Sequence, residues 1–249
     1  MPKTRQQRPP PLVIALAIVL ALLLTWPASI ALRNGLAGIY ARPAIDYLEQ
    51  KRFSTDTVSE AQWQAIDHSV TQADRLMPGN PQYLEALGRL HQIKLSAFAD
   101  ELSIEEMDAH AKAASEYFFR AMENRPTWPY YWGNLALEHY RLGNFGTDDY
   151  SQALSNASRF GPWKNDTQRL VMDLGSETWE FLSPGAQREF ILNLERALHR
   201  QPQNALQIVS DNGAWPRLCA ASKALLDITQ PHLRALCAQD RFAEKVDQY

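Results

Sequence analysis

The sequence predicts an all-α protein in which one N-terminal transmembrane helix precedes a domain of stacked helical repeats, an α-solenoid. Three observations predict this fold: an uncharged apolar run near the amino terminus, a recurring alanine–proline spacing, and the lack of alternating apolar and polar runs. The segments we expect are a cytoplasmic lead at 1–11, the transmembrane helix at 12–32, a juxtamembrane segment at 33–59, the repeats at 60–202 and C-terminal helices at 203–249.

The transmembrane prediction rests on the run from Leu12 to Leu32, which holds 21 residues and no charge. A helix of this length spans about 31 Å, the thickness of the hydrocarbon core of a bilayer. The basic residues that precede the run favour an amino terminus in the cytoplasm. We therefore expect an anchor in a bacterial inner membrane with the main domain in the periplasm. The alternative is a cleaved signal peptide with Ser29 and Ala31 at the cleavage site, although the run is long for one.

The charge of the chain is unevenly distributed around a net value of −3. The first 42 residues contain five basic side chains and no acidic one, which leaves 20 basic against 28 acidic residues in the remainder. The exported body therefore carries a balance of −8. Such an acidic body argues against a nucleic-acid-binding protein, which needs a basic surface.

The repeat prediction rests on an alanine that is followed five positions later by a proline, four times along the chain. Apolar or larger residues stand three and seven positions before each alanine, which is the spacing of one helix face. Proline cannot continue the hydrogen bonds of a helix. The pattern therefore predicts helices that pack at the alanine and end before the proline, at Ala73 and Pro78, Ala121 and Pro126, Ala157 and Pro162, and Ala197 and Pro202.

This unit resembles the tetratricopeptide repeat, a helical hairpin of 34 residues. Successive units begin at Pro81, at Pro129 and, in a more degenerate form, at Asn165. The resemblance requires an insertion of about 14 residues near Ala97 to His110. The signature positions of the first helices are then Leu84, Leu87, Gly88 and His91 in one unit, and Trp132, Leu135, Ala136 and His139 in the next.

The same register assigns roles to single residues. Trp132 is expected in the core, and the histidines His91 and His139 fall on packing positions, so we expect structural roles for both. Tyr150 stands where the repeat usually has a small alanine, which predicts looser packing of that helix pair.

A candidate binding groove follows from the aromatic-rich segment from Pro126 to Gly143. In the tetratricopeptide register the first helices line a concave surface, where we place Arg89, Tyr130, Tyr140 and Arg141, with Glu85 and Gln92. Tyrosine beside arginine is typical of binding hot spots, and aromatic faces with polar neighbours also suit sugars. The alternative is that Tyr130 and Tyr140 pack between adjacent repeats.

The sequence contains no pattern of catalytic or metal-binding residues. The zinc motif His-Glu-x-x-His, a glycine-rich phosphate loop and Gly-x-Ser-x-Gly are all missing. We therefore expect no enzymatic activity, no cofactor and no bound metal. Cys219 and Cys237 each lie in the string Leu-Cys-Ala on either side of a predicted turn at 228–231, which makes them a candidate disulfide in an oxidising compartment. The alternative is two buried cysteines that pack as small apolar residues.

Three strings carry a second resemblance: the segment from Trp128 to Gly143, Gly161-Pro162-Trp163, and Arg217-Leu218-Cys219-Ala220. With the overall layout they resemble the VpsP-like proteins of exopolysaccharide gene clusters, which are small, repeat-like and anchored in the inner membrane. The resemblance implies a non-enzymatic scaffold that assists polysaccharide biosynthesis or export through protein partners. Two alternatives stay open, a periplasmic polysaccharide-binding module and a general adaptor for envelope assembly.

Overall fold

A computed structural model describes residues 10–51, 58–225 and 231–239. Within these ranges the chain forms helices and no β-strand, which confirms the predicted all-α class. It divides into two compact units, residues 1–78 and 79–249. The helices are α1 (Pro11–Lys51), α2 (Glu60–Leu76), α3 (Pro81–Ala97), α4 (Ile104–Asn124), α5 (Pro129–Arg141), α6 (Asp148–Phe160), α7 (Asn165–Glu177), α8 (Pro184–Arg200), α9 (Pro202–Asp211), α10 (Trp215–Leu225) and α11 (Pro231–Cys237), with a 3-10 helix at Trp179–Phe181.

The helix α1 is long and apolar enough to cross a membrane, with a mean hydropathy of 2.5 in its most apolar stretch. None of the side chains in that stretch is buried against the rest of the protein. The expected juxtamembrane segment continues the same helix as far as Lys51. The predicted cytoplasmic lead at 1–11 lies almost wholly outside the described residues.

The second half of α1 packs against α2. Two nitrogen atoms of the Arg33 guanidinium donate to the carbonyl oxygen of Leu76 at 3.2 and 2.9 Å, and the Ser69 hydroxyl donates to the carbonyl of Tyr40 at 2.5 Å. The contacting residue later in α1, Tyr40, meets the residue earlier in α2, Ser69, so the two helices run antiparallel. The contact face of α1 is a stripe of small and apolar residues, Ala37, Ala41, Ala44 and Leu48. Although α2 lies inside the predicted repeat region, it therefore forms a compact unit with α1.

The predicted helix ends are confirmed. The helices α2, α4, α6 and α8 each end two residues before the proline of the pattern. In each case the backbone N–H of the residue after the helix donates to the carbonyl oxygen of the repeat alanine, at 2.7 to 3.0 Å. The alanine side chains are completely or almost completely buried. These four alanines are Ala73, Ala121, Ala157 and Ala197.

The predicted unit starts are also where helices begin, since α3, α5 and α7 start at Pro81, Pro129 and Asn165. The predicted insertion is helical at both ends, and residues 98–103 within it form the connection. It lengthens α3 to 17 residues and α4 to 21, whereas α5 and α6 have 13 each. The Ser103 side chain accepts a hydrogen bond from the backbone N–H of Glu106, and the Glu106 side chain accepts one from the backbone N–H of Ser103. This capping box starts α4 within the insertion.

Two expectations about aromatic residues are wrong. Tyr150 is fully buried and its hydroxyl bonds with the Thr178 hydroxyl at 2.8 Å, so this helix pair is not loosely packed. Trp132 is only half-buried, and the adjacent Tyr131 is the fully buried aromatic residue. Neighbouring positions on a helix point about 100° apart, so only one of the two rings enters the core.

In the second compact unit, helices contact both the next helix along the chain and the one after it. The helix α5 contacts α4, α6 and α7; α6 also contacts α8, and α7 also contacts α9. The helix α9 ends at Asp211, where Gly213 adopts a positive φ of 59° that favours glycine.

A disulfide joins Cys219 in α10 to Cys237 in α11, with their Cα atoms 5.4 Å apart. The predicted turn at 228–231 lies outside the described residues except for Pro231, where α11 begins.

Candidate functional site

Polar side chains link the helices α3 and α5. Asn134, Glu138 and Arg141 lie at i, i+4 and i+7 on α5, so they share one side of the helix. From α3, the Gln92 amide donates to Asn134 Oδ1 at 3.0 Å and to Glu138 Oε1 at 2.7 Å. The Arg141 guanidinium donates to the same Glu138 oxygen at 2.9 Å. We call these four residues, Gln92, Asn134, Glu138 and Arg141, the polar row.

The buried carboxylate of Glu138 is the centre of the polar row. Its side chain is 0% exposed, and its Oε2 has no hydrogen-bond partner in the described part of the chain. Burial raises the pKa of this carboxyl, while Arg141 and Gln92 oppose the shift. The ion pair holds Arg141 at the surface, where the remaining N–H groups of its guanidinium can donate hydrogen bonds to an external carboxylate or carbonyl group.

An aromatic cluster adjoins the polar row at the end of α5. The ring of Tyr140 lies 6.1 Å from that of Phe145, which meets Phe181 edge-on at 4.9 Å. The Tyr140 hydroxyl donates to the Glu177 carboxylate of α7, and this bond is the main cause that raises the Tyr140 pKa to about 12. Phe181 remains 54% exposed. We call Tyr140, Phe145 and Phe181 the aromatic cluster.

The four predicted groove residues do not form a single cluster. Tyr140 and Arg141 lie together at the end of α5, whereas Tyr130 lies about 15 Å earlier along that helix. Tyr130 is half-buried with its ring 5.6 Å from Trp128. Arg89 is half-buried on α3, one turn before Gln92. The candidate site is therefore centred on Tyr140 and Arg141.

Sequence reasoning missed Asn134, Glu138, Phe145 and Phe181. The polar spacing of Asn134, Glu138 and Arg141 within an otherwise apolar helix was a usable signal for the first two. Phe145 follows α5 and Phe181 follows α7, and no local pattern predicts that these two rings meet.

A cavity of about 640 Å³ opens on another side of α5, between α4 and α6. It is lined by Trp132 and His139, which the sequence assigned to packing roles. His139 is half-buried and its Nδ1 has no hydrogen-bond partner in the described residues. Burial lowers the pKa of this imidazole, and the carboxylate of Asp149 opposes the shift. The neutral ring is therefore favoured near neutral pH.

The described residues contain no group of three or more His, Cys, Asp or Glu side chains placed to hold a metal ion. No protein-family model matches this chain, and no curated protein matches it significantly.

Proposed function

We propose that this chain is a membrane-anchored, non-enzymatic scaffold that binds a partner protein through the polar row and the aromatic cluster. In this proposal α3 to α8 form a tetratricopeptide-like solenoid, and its first helices α3, α5 and α7 present the binding surface. Two features support it: the identical alanine-bonded ends of α4, α6 and α8, and the contacts of α5 with both α6 and α7.

One observation carries the binding role. Arg141 is fixed by a buried carboxylate beside the aromatic cluster, in which Phe181 is exposed and the other two rings are half-buried, so its guanidinium is already ordered before a partner arrives. Preorganised arginine and aromatic side chains lose little conformational entropy on binding and are common in hot spots. The surface suits a segment that carries an acidic and an apolar side chain.

The proposed location is a bacterial inner membrane, with the amino terminus in the cytoplasm and the helical body in the periplasm. The length and composition of α1 support the anchor, and the basic residues before it support the orientation. An anchor confines the scaffold to the membrane surface and raises its effective concentration near membrane-bound partners. The process that we propose for the scaffold is exopolysaccharide assembly or export, and the resemblance of the sequence to VpsP-like proteins supports it.

The test measures cell-surface polysaccharide in a strain that lacks the gene. The strain is complemented with the wild type, with an exported form without the anchor, and with Tyr140→Ala plus Arg141→Ala. A matched control carries Arg159→Ala plus Phe160→Ala, an exposed pair at the end of α6. We expect the wild type and the control to restore the polymer, and the other two forms to fail.

Three results would overturn parts of this proposal. Unchanged polymer in the deletion strain would contradict the role in polysaccharide assembly and favour a general envelope adaptor. Full rescue by the Tyr140→Ala and Arg141→Ala variant would contradict the binding surface. A reporter active only after export, fused to the carboxyl terminus, tests the orientation, which an inactive fusion would contradict.

A further inference from the structure

The cavity between α4, α5 and α6 has the size of a small-molecule site. Its volume of about 640 Å³ lies in the range of natural ligand pockets. The side chains of α5 that line it are Trp132, Leu135 and His139, with Leu142 directly after the helix, and all differ from those of the polar row. The cavity is therefore a separate feature from the proposed partner surface, although both use α5.

Apolar groups form one part of the lining. Trp132 donates its indole N–H to the carbonyl oxygen of Pro126 at 2.7 Å, so its polar atom is already satisfied and its ring is held in place. Phe119 of α4 also lines the cavity and is 50% exposed, and Met122 and Leu135 add aliphatic surface. Large exposed aromatic rings beside a cavity offer flat faces for an apolar face of a ligand.

Polar groups form the other part: amides, which donate and accept hydrogen bonds, and carboxylates, which only accept them. Asn144 and Gln152 contribute amides, and Glu116 and Asp149 contribute carboxylates. All four residues are exposed on the surface. Lys112 is the one cationic residue among the lining side chains, so acidic groups outnumber basic ones. An anionic ligand is therefore disfavoured, whereas a ligand rich in hydroxyl groups finds matching acceptors and donors.

We propose that this cavity binds a neutral pyranose ring of a glycan. A pyranose has an apolar face of C–H groups and an edge of hydroxyls, which match the Trp132 and Phe119 rings and the Asp149 and Gln152 side chains respectively. This inference does not depend on the scaffold role, because the two use different side chains.

The test uses the full-length protein in detergent micelles and ligand-observed saturation-transfer NMR. The probes are three neutral oligosaccharides, cellotetraose, mannotetraose and a galactotetraose, together with the anionic tetragalacturonic acid. We expect transfer to the ring C–H protons of at least one neutral probe. The affinity should fall about tenfold or more in Phe119→Ala and in Gln152→Ala, since each removes one side of the proposed contact.

The matched control is Phe181→Ala, which removes an equally exposed phenylalanine from the aromatic cluster. It should leave glycan binding intact while it weakens the partner role, so the two proposals fail separately. The inference is overturned if no neutral probe receives saturation, if the cavity variants bind as the wild type does, or if tetragalacturonic acid binds more tightly. Circular dichroism of Phe119→Ala and Gln152→Ala checks that these surface changes leave the helices intact.

Discussion

The helix pair α3 and α4 and the pair α5 and α6 end in the same way but are packed differently inside. The second helix of each pair ends with a backbone hydrogen bond to a buried alanine, Ala121 or Ala157. Seven residues before that alanine, however, the first pair has the small Ala114 and the second has the large Tyr150. Both residues are 0% exposed. The alanine–proline spacing therefore marks where these helices end, while the space between the paired helices is filled in a different way in each pair.

The close contacts of the two pairs differ in the same manner. In the first pair Gly88 lies under the Phe118 ring, where an added Cβ would come within 2.8 Å of the ring. In the second pair the nearest atom to a Cβ at Gly133 would be a methyl group of Leu170 at 3.1 Å. His91 and His110 also bring their Nδ1 atoms to 2.7 Å in the first pair. Each pair thus carries its own chemistry on a shared backbone pattern.

The largest effect is expected from Tyr150→Ala, because it empties a fully buried site in α6. We expect a loss of about 3–5 kcal/mol in the free energy of unfolding, measured by chemical denaturation. Tyr150→Phe keeps the ring and removes only the bond to Thr178, so it should cost about 1 kcal/mol. A cost below 1 kcal/mol for Tyr150→Ala would contradict the close packing of this buried ring.

Gly88→Ala should destabilise the first pair by about 1–3 kcal/mol, since the new methyl group meets a fully buried aromatic ring. Gly133→Ala is the control from the second pair. Its methyl group meets the end of a flexible leucine, so the cost should be smaller. Thermal unfolding followed by circular dichroism compares the two variants, and equal losses would contradict the difference in packing.

A pH effect should distinguish the first pair. Burial, aided by the charge of His110, lowers the His91 pKa from 6.5 to about 4. A lowered histidine pKa stabilises the fold above pH 6.5, and this contribution is lost as the pH falls towards 4. We expect a loss of about 1–2 kcal/mol between pH 7 and pH 5. Unfolding measured at both pH values in wild type and His91→Gln tests this, and an unchanged pH dependence in the variant would contradict it.

A smaller effect of opposite sign is expected from Glu138 in the second pair. Because burial raises the folded-state pKa of Glu138 above 4.5, its contribution to stability is present below that pH and is lost as the pH rises through the raised value. Relative to Glu138→Gln, the wild type should therefore be more stable at pH 4 than at pH 7. Denaturation of both proteins across this range measures the difference, and the reverse trend would show that Arg141 and Gln92 outweigh the burial.

The sequence predicts the backbone pattern of this molecule better than its sites. Helix ends before Pro126 and Pro162 depend on local chemistry, because proline lacks the backbone N–H that would continue the hydrogen bonds of the preceding helix. The helical insertion was also readable, since Ser103 and Glu106 have the spacing of a capping box. The burial of Tyr150, the Phe145 and Phe181 contact and the cavity depend on which helices meet. No pattern within a single helix carries that information.

Photo-crosslinking in living cells tests most directly whether the polar row and the aromatic cluster bind a partner protein. A crosslinking amino acid is introduced at Arg141, at Phe181 and, as the control on α6, at Arg159. We predict that the first two positions capture the same protein, that Arg159 does not, and that Tyr140→Ala abolishes the capture from Phe181. Equal capture from Arg159, or none from Arg141 and Phe181, would contradict the proposed binding surface.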